Sequence, residues 1–331
     1  MNKIFETIKK SRNILLTLHP GPDGDSVGAN LAFYIFLKRL KKNVTLISGD
    51  SKLPINYSTL PFAKNIIEKN IVELDLKNYD LIVLLDIAGK SQISRINDIK
   101  FSKNSKIINI DHHVSNKGIG NINLINKNSP STCEMIFRLF EKWSASRRIK
   151  IDKNIAACLI TGIYDDCQFK YDKVNFKTYD IASKLAKINP QFNKYLFEVD
   201  NNNSPEKIKF LGIALSHIET FFNNQIAISL IPFDIMEQNR FPKSTTENTD
   251  ISNILKSVIG WNIGISFFEY MPNKIKISMR TRDPKKFDVS KLARALNGGG
   301  HVSAAGANLN MPFKEAKKTL LETIKKVYKL N

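Results

Sequence analysis

Residues 13–25 read NILLTLHPGPDGD, residues 81–86 read LIVLLD and residues 107–113 read IINIDHH. Each stretch begins as a nearly continuous apolar run and ends in an acid or a histidine. An unbroken run, rather than alternation, is what a parallel strand covered on both faces requires. Residues 44–48 (VTLIS) add a fourth such run. Between the first two strands, residues 26–41 place Leu31, Tyr34, Ile35, Leu37 and Leu40 near helical spacing. They close on basic residues, which favour a helix C-terminus. Further helices are predicted over residues 131–143, 152–164 and 175–187. Strand and helix in alternation predict an α/β domain, a parallel sheet with helices on both faces.

The pattern changes near Asn189 and Pro190. Residues 201–205 (NNNSP) carry turn chemistry, and Ser204 can cap a helix predicted over 205–222. Beyond it, strands are predicted at 225–231, 263–270 and 274–280, and helices at 251–258, 289–296 and 314–329. Met271, Pro272 and Asn273 read as a hairpin connection. The expected organisation is an α/β domain over 1–185, a helical or loop linker over 186–205, and a smaller α+β domain over 206–331.

At 331 residues the chain is long for one core and comfortable for two domains. With 42% hydrophobic and 24% charged residues it excludes disorder. No apolar run approaches the ~20 residues of a membrane span, and residues 14–18 are too short for a signal peptide core. Cys133, Cys158 and Cys167 are odd in number and lack CxxC spacing, which argues against a disulfide framework and a cysteine zinc site. A reducing cytoplasm is the expected location. Fifty Lys and Arg against 31 Asp and Glu leave a net charge of +19, which suits an anionic partner. A Lys-, Asn- and Ile-rich coding sequence produces the same excess, so charge alone does not choose between the two.

The positions of the acids and histidines are more informative. His19, Asp86 and Asp111 each end a predicted strand, and open α/β sheets bind ligands beyond the carboxyl ends of their strands. The loop after the first strand adds Asp23 and Asp25, with Pro20 and Pro22 stiffening it. His112 and His113 follow Asp111. So many carboxylates in one crevice either have raised pKa values or are neutralised by a cation. Imidazoles among carboxylates point to Mn²⁺, and two ions can share Asp86. In the second domain, Gly298, Gly299 and Gly300 bare backbone N–H groups that suit an anion, or simply stop a helix. Arg280 and Arg282, two apart on a strand, can fork around a phosphate or stand as solvated charges. Phe169, Tyr171 and Phe176 offer rings for stacking or for core packing.

In combination these motifs resemble the DHH phosphoesterase superfamily. His19, Asp23 and Asp25 resemble its first motif, Asp86 its second, and Asp111, His112 and His113 its third. Residues 161–166 (TGIYDD) resemble the fourth, one residue shorter than usual. Asp165 therefore rivals Asp166, and alignment on Gly162 and Ile163 favours Asp166. Residues 297–301 (NGGGH) resemble the glycine loop of the DHHA1 domain, with three glycines where four are common. The resemblance is strongest to the branch of oligoribonucleases that also dephosphorylate adenosine 3′,5′-bisphosphate (pAp). It implies two Mn²⁺ per chain. His19, Asp23 and Asp86 would hold one ion; Asp25, Asp86, His112 and Asp166 would hold the other. Asp111 would orient the histidine pair, and His113 would contact the scissile phosphate. Arg280, Arg282, Gly298, Gly299, Gly300 and His301 would hold the substrate's other phosphate or base. The implied substrates are short RNA oligonucleotides and pAp, with no membrane or long duplex nucleic acid as partner. Self-association is left open. The rivals are a phosphodiesterase of cyclic or linear dinucleotides and a basic nucleic-acid-binding protein with a non-catalytic metal site.

Overall fold

Strand β1 (Asn13–Thr17) shares its apolar side chains between two cores. Ile14 and Leu16 face one, and Leu15 faces the other. The same split recurs in β3 (Leu81–Leu85), where Leu81, Val83 and Leu85 oppose Ile82 and Leu84. All are fully buried, and each such side chain contributes ~1.5–3 kcal/mol. This two-sided burial is why the runs are continuous. The computed structural model describes residues 2–96, 99, 101, 105–144, 150–170, 173–241 and 250–330. The chain divides into two units, Met1–Asn202 and Asn203–Asn331.

The first unit holds a five-stranded, all-parallel sheet. With β2 (Asn43–Ile47), β4 (Lys106–Asp111) and β5 (Ile122–Ile125), its order is β2-β1-β3-β4-β5. One face carries α1 (Asn2–Lys10), α2 (Gly24–Arg39), α3 (Thr132–Ser144), α4 (Lys153–Cys167) and α5 (Phe176–Ile188). The other is covered by 3₁₀ turns at Ile71–Glu73, Leu76–Asn78 and Lys90–Gln92. From β1 the chain goes to β2 on one side and then to β3 on the other. That reversal opens the topological switch point, at the carboxyl ends of β1 and β3. Helix α6 (Asn193–Asn201) closes the unit within the segment predicted as a linker.

The second unit holds a six-stranded mixed sheet. Its strands are β6 (Ile218–Phe221), β7 (Ile226–Ile231), β8 (Ile263–Met271), β9 (Lys274–Thr281), β10 (Gly299–Gly300) and β11 (Ala304–Asn310), in the order β10-β11-β9-β8-β7-β6. Only the β7–β8 pair among them is parallel. Helices α10 (Val289–Ala295) and α11 (Phe313–Tyr328) pack one core, with Leu292, Leu320 and Ile324. Helices α7 (Pro205–Ser216), α8 (Phe233–Gln238) and α9 (Ile251–Ser257) pack the other, around Phe210, Met236 and Leu255. The helix predicted to run to residue 222 stops at Ser216. Ser216 turns its hydroxyl back onto Ile213 O, and residues 218–221 pair with β7 instead. No helix among the described residues is long and apolar enough to cross a membrane.

Candidate metal centre

Leu18 continues β1 and is fully buried, and His19 follows it at the switch point. His19 Nδ1 lies 3.3 Å from Pro20 O. A proton held there leaves Nε2 as the acceptor. Nε2 stands 3.6 Å from both Asp23 Oδ1 and Asp86 Oδ2. Asp23 also caps α2, its Oδ1 accepting the Ser26 N–H at 3.0 Å. Asp86, directly after β3, has φ 60°, a left-handed conformation that costs a non-glycine residue ~1–3 kcal/mol and recurs at functional sites.

Asp86 turns its other oxygen the opposite way. Oδ1 lies 3.5 Å from His112 Nε2 and 3.6 Å from His113 Nδ1. His112 is oriented like His19: its Nδ1 faces Ser129 O at 3.2 Å, and its Nε2 faces Asp166 Oδ2 at 3.3 Å and Asp25 Oδ2 at 4.0 Å. Among the described residues three groups of candidate ligand atoms result, each within 4.8 Å: His19, Asp23 and Asp86; Asp25, His112 and Asp166; and Asp86, His112 and His113. Asp86 joins the first to the third, and His112 joins the third to the second.

Asp111 lies behind the histidines. Its Oδ1 accepts from His113 Nδ1 at 2.7 Å and its Oδ2 from Asn116 Nδ2 at 2.6 Å. The start of α3, which sequence reasoning passed over, orients two acids. Thr132 donates its hydroxyl to Asp86 Oδ1 at 3.1 Å and its N–H to Asp25 Oδ2 at 2.6 Å. Cys133 N–H donates to Asp25 Oδ1 at 2.8 Å. The available signal was the Ser131-Thr132 pair opening a predicted helix.

Of the fourth-motif pair, Asp166 faces His112. Asp165 Oδ2 instead accepts from Gly24 N at 2.8 Å and from Tyr57 Oη at 3.1 Å. Phe169 packs between Tyr164 and Tyr179, whereas Phe176 is 76% exposed. Tyr171 lies outside the described residues.

Burial and crowding push the Asp25 carboxyl well up, with the charges of Asp86, Asp166 and Asp23 adding to desolvation. Asp166 is raised for the same reasons, burial first and then Asp23 and Asp86. Its Oδ2 is buried and, among the described residues, accepts no hydrogen bond, with His112 Nε2 as its near neighbour at 3.3 Å. Burial opposes ionisation of Asp86 too, but the His19 hydrogen bond and the histidine charges win and hold it at about 2. Burial disfavours charge on His19, yet Asp23 and Asp86 raise it well above the usual imidazole range. Burial lowers His112. Burial disfavours charge on His113, but its hydrogen bond to Asp111 and the charges of Asp86, Asp111 and Asp23 together hold it at about 9. An orphaned buried carboxylate oxygen beside a crowd of acids fits a divalent cation, and imidazole mixed with carboxylate suits Mn²⁺.

In the second unit, Arg280 sits in β9 opposite Ala304 of β11. Arg282 lies just past that strand and donates to Ser257 O and Val258 O at 3.2 and 3.0 Å. Gly299 and Gly300 form β10, paired to Gly306 and Ala305. A Cβ at Gly298 would stand 2.1 Å from Gly306 O, and Gly300 has φ +139°, so both glycines serve the ribbon itself. The N–H groups of Gly298 and His301 donate to Ala293 O and Ala304 O. Of Gly298, Gly299 and Gly300, only Gly299 opens onto free space.

Residues 13–163 match the DHH family, N-terminal domain, and residues 239–330 match the DHHA1 domain. The chain belongs to the DHH family. Asp166 falls just outside the matched span, so its place rests on the His112 distance. Among the relatives of this DHH phosphoesterase is the bifunctional oligoribonuclease and PAP phosphatase NrnA of Bacillus subtilis. It is 24% identical over 330 residues, 97% of each chain. The protein of that name from Mycoplasma genitalium is 23% identical over 333 residues, 99% of this chain and 98% of its own. The crystal structure of an exopolyphosphatase-related protein from Bacteroides fragilis superposes with a TM-score of 0.86 at 25% identity, covering 99% of this chain and 96% of that one.

Proposed function

We propose that this DHH phosphoesterase is manganese-dependent, degrading short oligoribonucleotides to mononucleotides and dephosphorylating pAp to AMP in the cytoplasm. The observation that carries the reading is the division of Asp86, one oxygen toward His19 and the other toward His112 and His113. A carboxylate placed so can serve two ions. In this reading His19, Asp23 and Asp86 hold one Mn²⁺, and Asp25, Asp86, His112 and Asp166 hold the second. When bound, such a pair supplies an activated water at neutral pH and neutralises charge on a phosphoryl group.

The chain's own residues supply the rest. Asp111 holds His113 by its Nδ1, and in the metal-free chain that bond and the nearby carboxylates raise the imidazole to about 9. Its Nε2–H then donates to a phosphoryl oxygen as charge develops there. His112, kept neutral by burial, is in the state a ligand needs. Thr132 fixes Asp86 and Asp25 so that neither rotates away. In the DHHA1 unit, Arg280, Arg282, His301 and the glycine run Gly298, Gly299 and Gly300 bind the substrate's second phosphate or its base. Two full-length relatives named for both activities support this choice of substrates.

The test is a panel of di- to pentaribonucleotides, pAp and cyclic di-AMP with the purified chain and Mn²⁺. Turnover of the short RNAs and pAp, abolished by chelation, is the expected result. Turnover of cyclic di-AMP alone would replace the substrate assignment. Metal binding without any hydrolysis would leave a non-catalytic site.

A further inference from the structure

We propose that Asp165 is a positioning residue, not a metal ligand, and that it clamps the start of α2, where Asp23 and Asp25 sit, to α4 with help from Tyr57. The inference rests on the reading that Asp23 and Asp25 hold metal. Gly24 lies between them, and its N–H donates to Asp165 Oδ2 at 2.8 Å. The Tyr57 hydroxyl donates to the same oxygen at 3.1 Å. The contact is tight, since a Cβ on Gly24 would stand 2.6 Å from the Asp165 Cβ. Tyr57 is buried, and its phenol is pushed well up by desolvation and then by the Asp165 charge, so it stays a donor.

Each of these three residues is thus held from a different direction. Asp23 caps α2 through the Ser26 N–H. Asp25 takes both N–H groups at the start of α3. Gly24 ties the pair by its N–H to α4, the helix that also carries Asp166. Consecutive residues on a helix point about 100° apart, so Asp165 and Asp166 cannot both face His112. Asp166 turns to His112, while Asp165 turns to Gly24. Among the described residues, none of the groups able to hold a metal includes Asp165. A carboxylate beside the first N–H of α2 is also favoured by that helix's positive end.

The role separates from ligation by chemistry. An amide oxygen still accepts from Gly24 and Tyr57, but an amide is a poor substitute for a ligating carboxylate. The experiment compares Asp165→Asn, Asp165→Ala, Tyr57→Phe and Asp166→Asn in the full chain. Mn²⁺ affinity and stoichiometry are read by titration calorimetry and electron paramagnetic resonance without substrate, and circular dichroism confirms the fold. Asp165→Asn is expected to stay within about threefold of wild type. Asp165→Ala should weaken Mn²⁺ by roughly 10–100-fold, as loss of a group supporting metal ligands does, and high Mn²⁺ should restore much of its activity. Tyr57→Phe should show a smaller loss in the same direction, and Asp166→Asn should lose one ion outright. Asp165→Asn losing an ion as Asp166→Asn does would make Asp165 a ligand and overturn the proposal. Wild-type affinity in a folded Asp165→Ala would overturn it too. If Asp165→Ala does not fold, the two amide variants still decide. A wild-type chain that binds no Mn²⁺ would overturn the metal reading and this inference together. A metal-loaded wild type that hydrolyses nothing would refute only the activity.

Discussion

Asp86→Asn keeps the side chain's shape and removes the charge shared between the two ligand groups. Without metal, two effects oppose each other. The variant loses attraction to His19, His112 and His113. It also relieves the repulsion that raises Asp25 and Asp166. The metal-free melting temperature should therefore move little. With metal the balance changes, because an ion bound only by the folded state at 1,000 times its Kd stabilises by ~4 kcal/mol. The N-terminal unit spans Met1–Asn202, a size at which 1 kcal/mol shifts Tm by roughly 2–4 °C. One ion is then worth about 8–16 °C. Calorimetry of the full chain with and without Mn²⁺ should show about twice this shift in wild type, one ion's worth in Asp23→Asn, and none in Asp86→Asn. A full Mn²⁺ shift retained by Asp86→Asn would refute the shared-carboxylate argument. So would an equal, complete loss in Asp23→Asn, which removes a residue of one group only.

His301→Ala and Arg280→Ala should raise KM for pAp and short RNA while bound metal, measured by elemental analysis, stays at wild-type content; metal loss in either would show that the division of labour is wrong. Mn²⁺ binding should release protons near neutral pH, because Asp25, Asp166 and His19 hold protons more tightly than usual in the metal-free chain and must shed them to ligate. Affinity therefore falls as pH is lowered, and calorimetry in buffers of different ionisation heat checks the sign; proton uptake on binding would contradict it. Cleavage should drop sharply as RNA lengthens from about five to ten nucleotides, with a shallow salt dependence near ~0.7 log units per log unit of salt for each phosphate contact. Equal turnover of a dinucleotide and a long single strand would instead assign the charge of +19 to an extended nucleic-acid track.

The strands that carry the site were legible because burial on both faces leaves a continuous apolar run too short for a helix and closed by turn residues. Strands β5 and β11 were not. The four residues of β5 are only partly buried or exposed, at one edge of the sheet, so little apolar signal is required of them. Strand β11 reads AAGANLN, with small and amide side chains of low strand propensity, and is held by its register along β9 from Ala304 to Asn310. Its alternation of buried Ala305, Ala307 and Leu309 was visible but weak, because two of the three side chains are methyl groups.

The site shows the same division between what one strand determines and what two elements determine together. His19, Asp86 and Asp111 could be placed from sequence because parallel strands deliver their carboxyl ends to one edge. Sequence does not encode which way a carboxylate turns there. That depends on the left-handed backbone at Asp86 and on donors from distant elements: Thr132 from α3, Ser129 O behind His112, and Asn116 behind Asp111. The choice between Asp165 and Asp166 is of this second kind. Both are acids in the last turn of one helix, and only the placement of Gly24 on one side and His112 on the other separates them. Spacing of acids and histidines therefore identifies the chemistry of such a centre, while the hydrogen-bonding partners contributed by neighbouring elements decide which oxygen meets which ligand position.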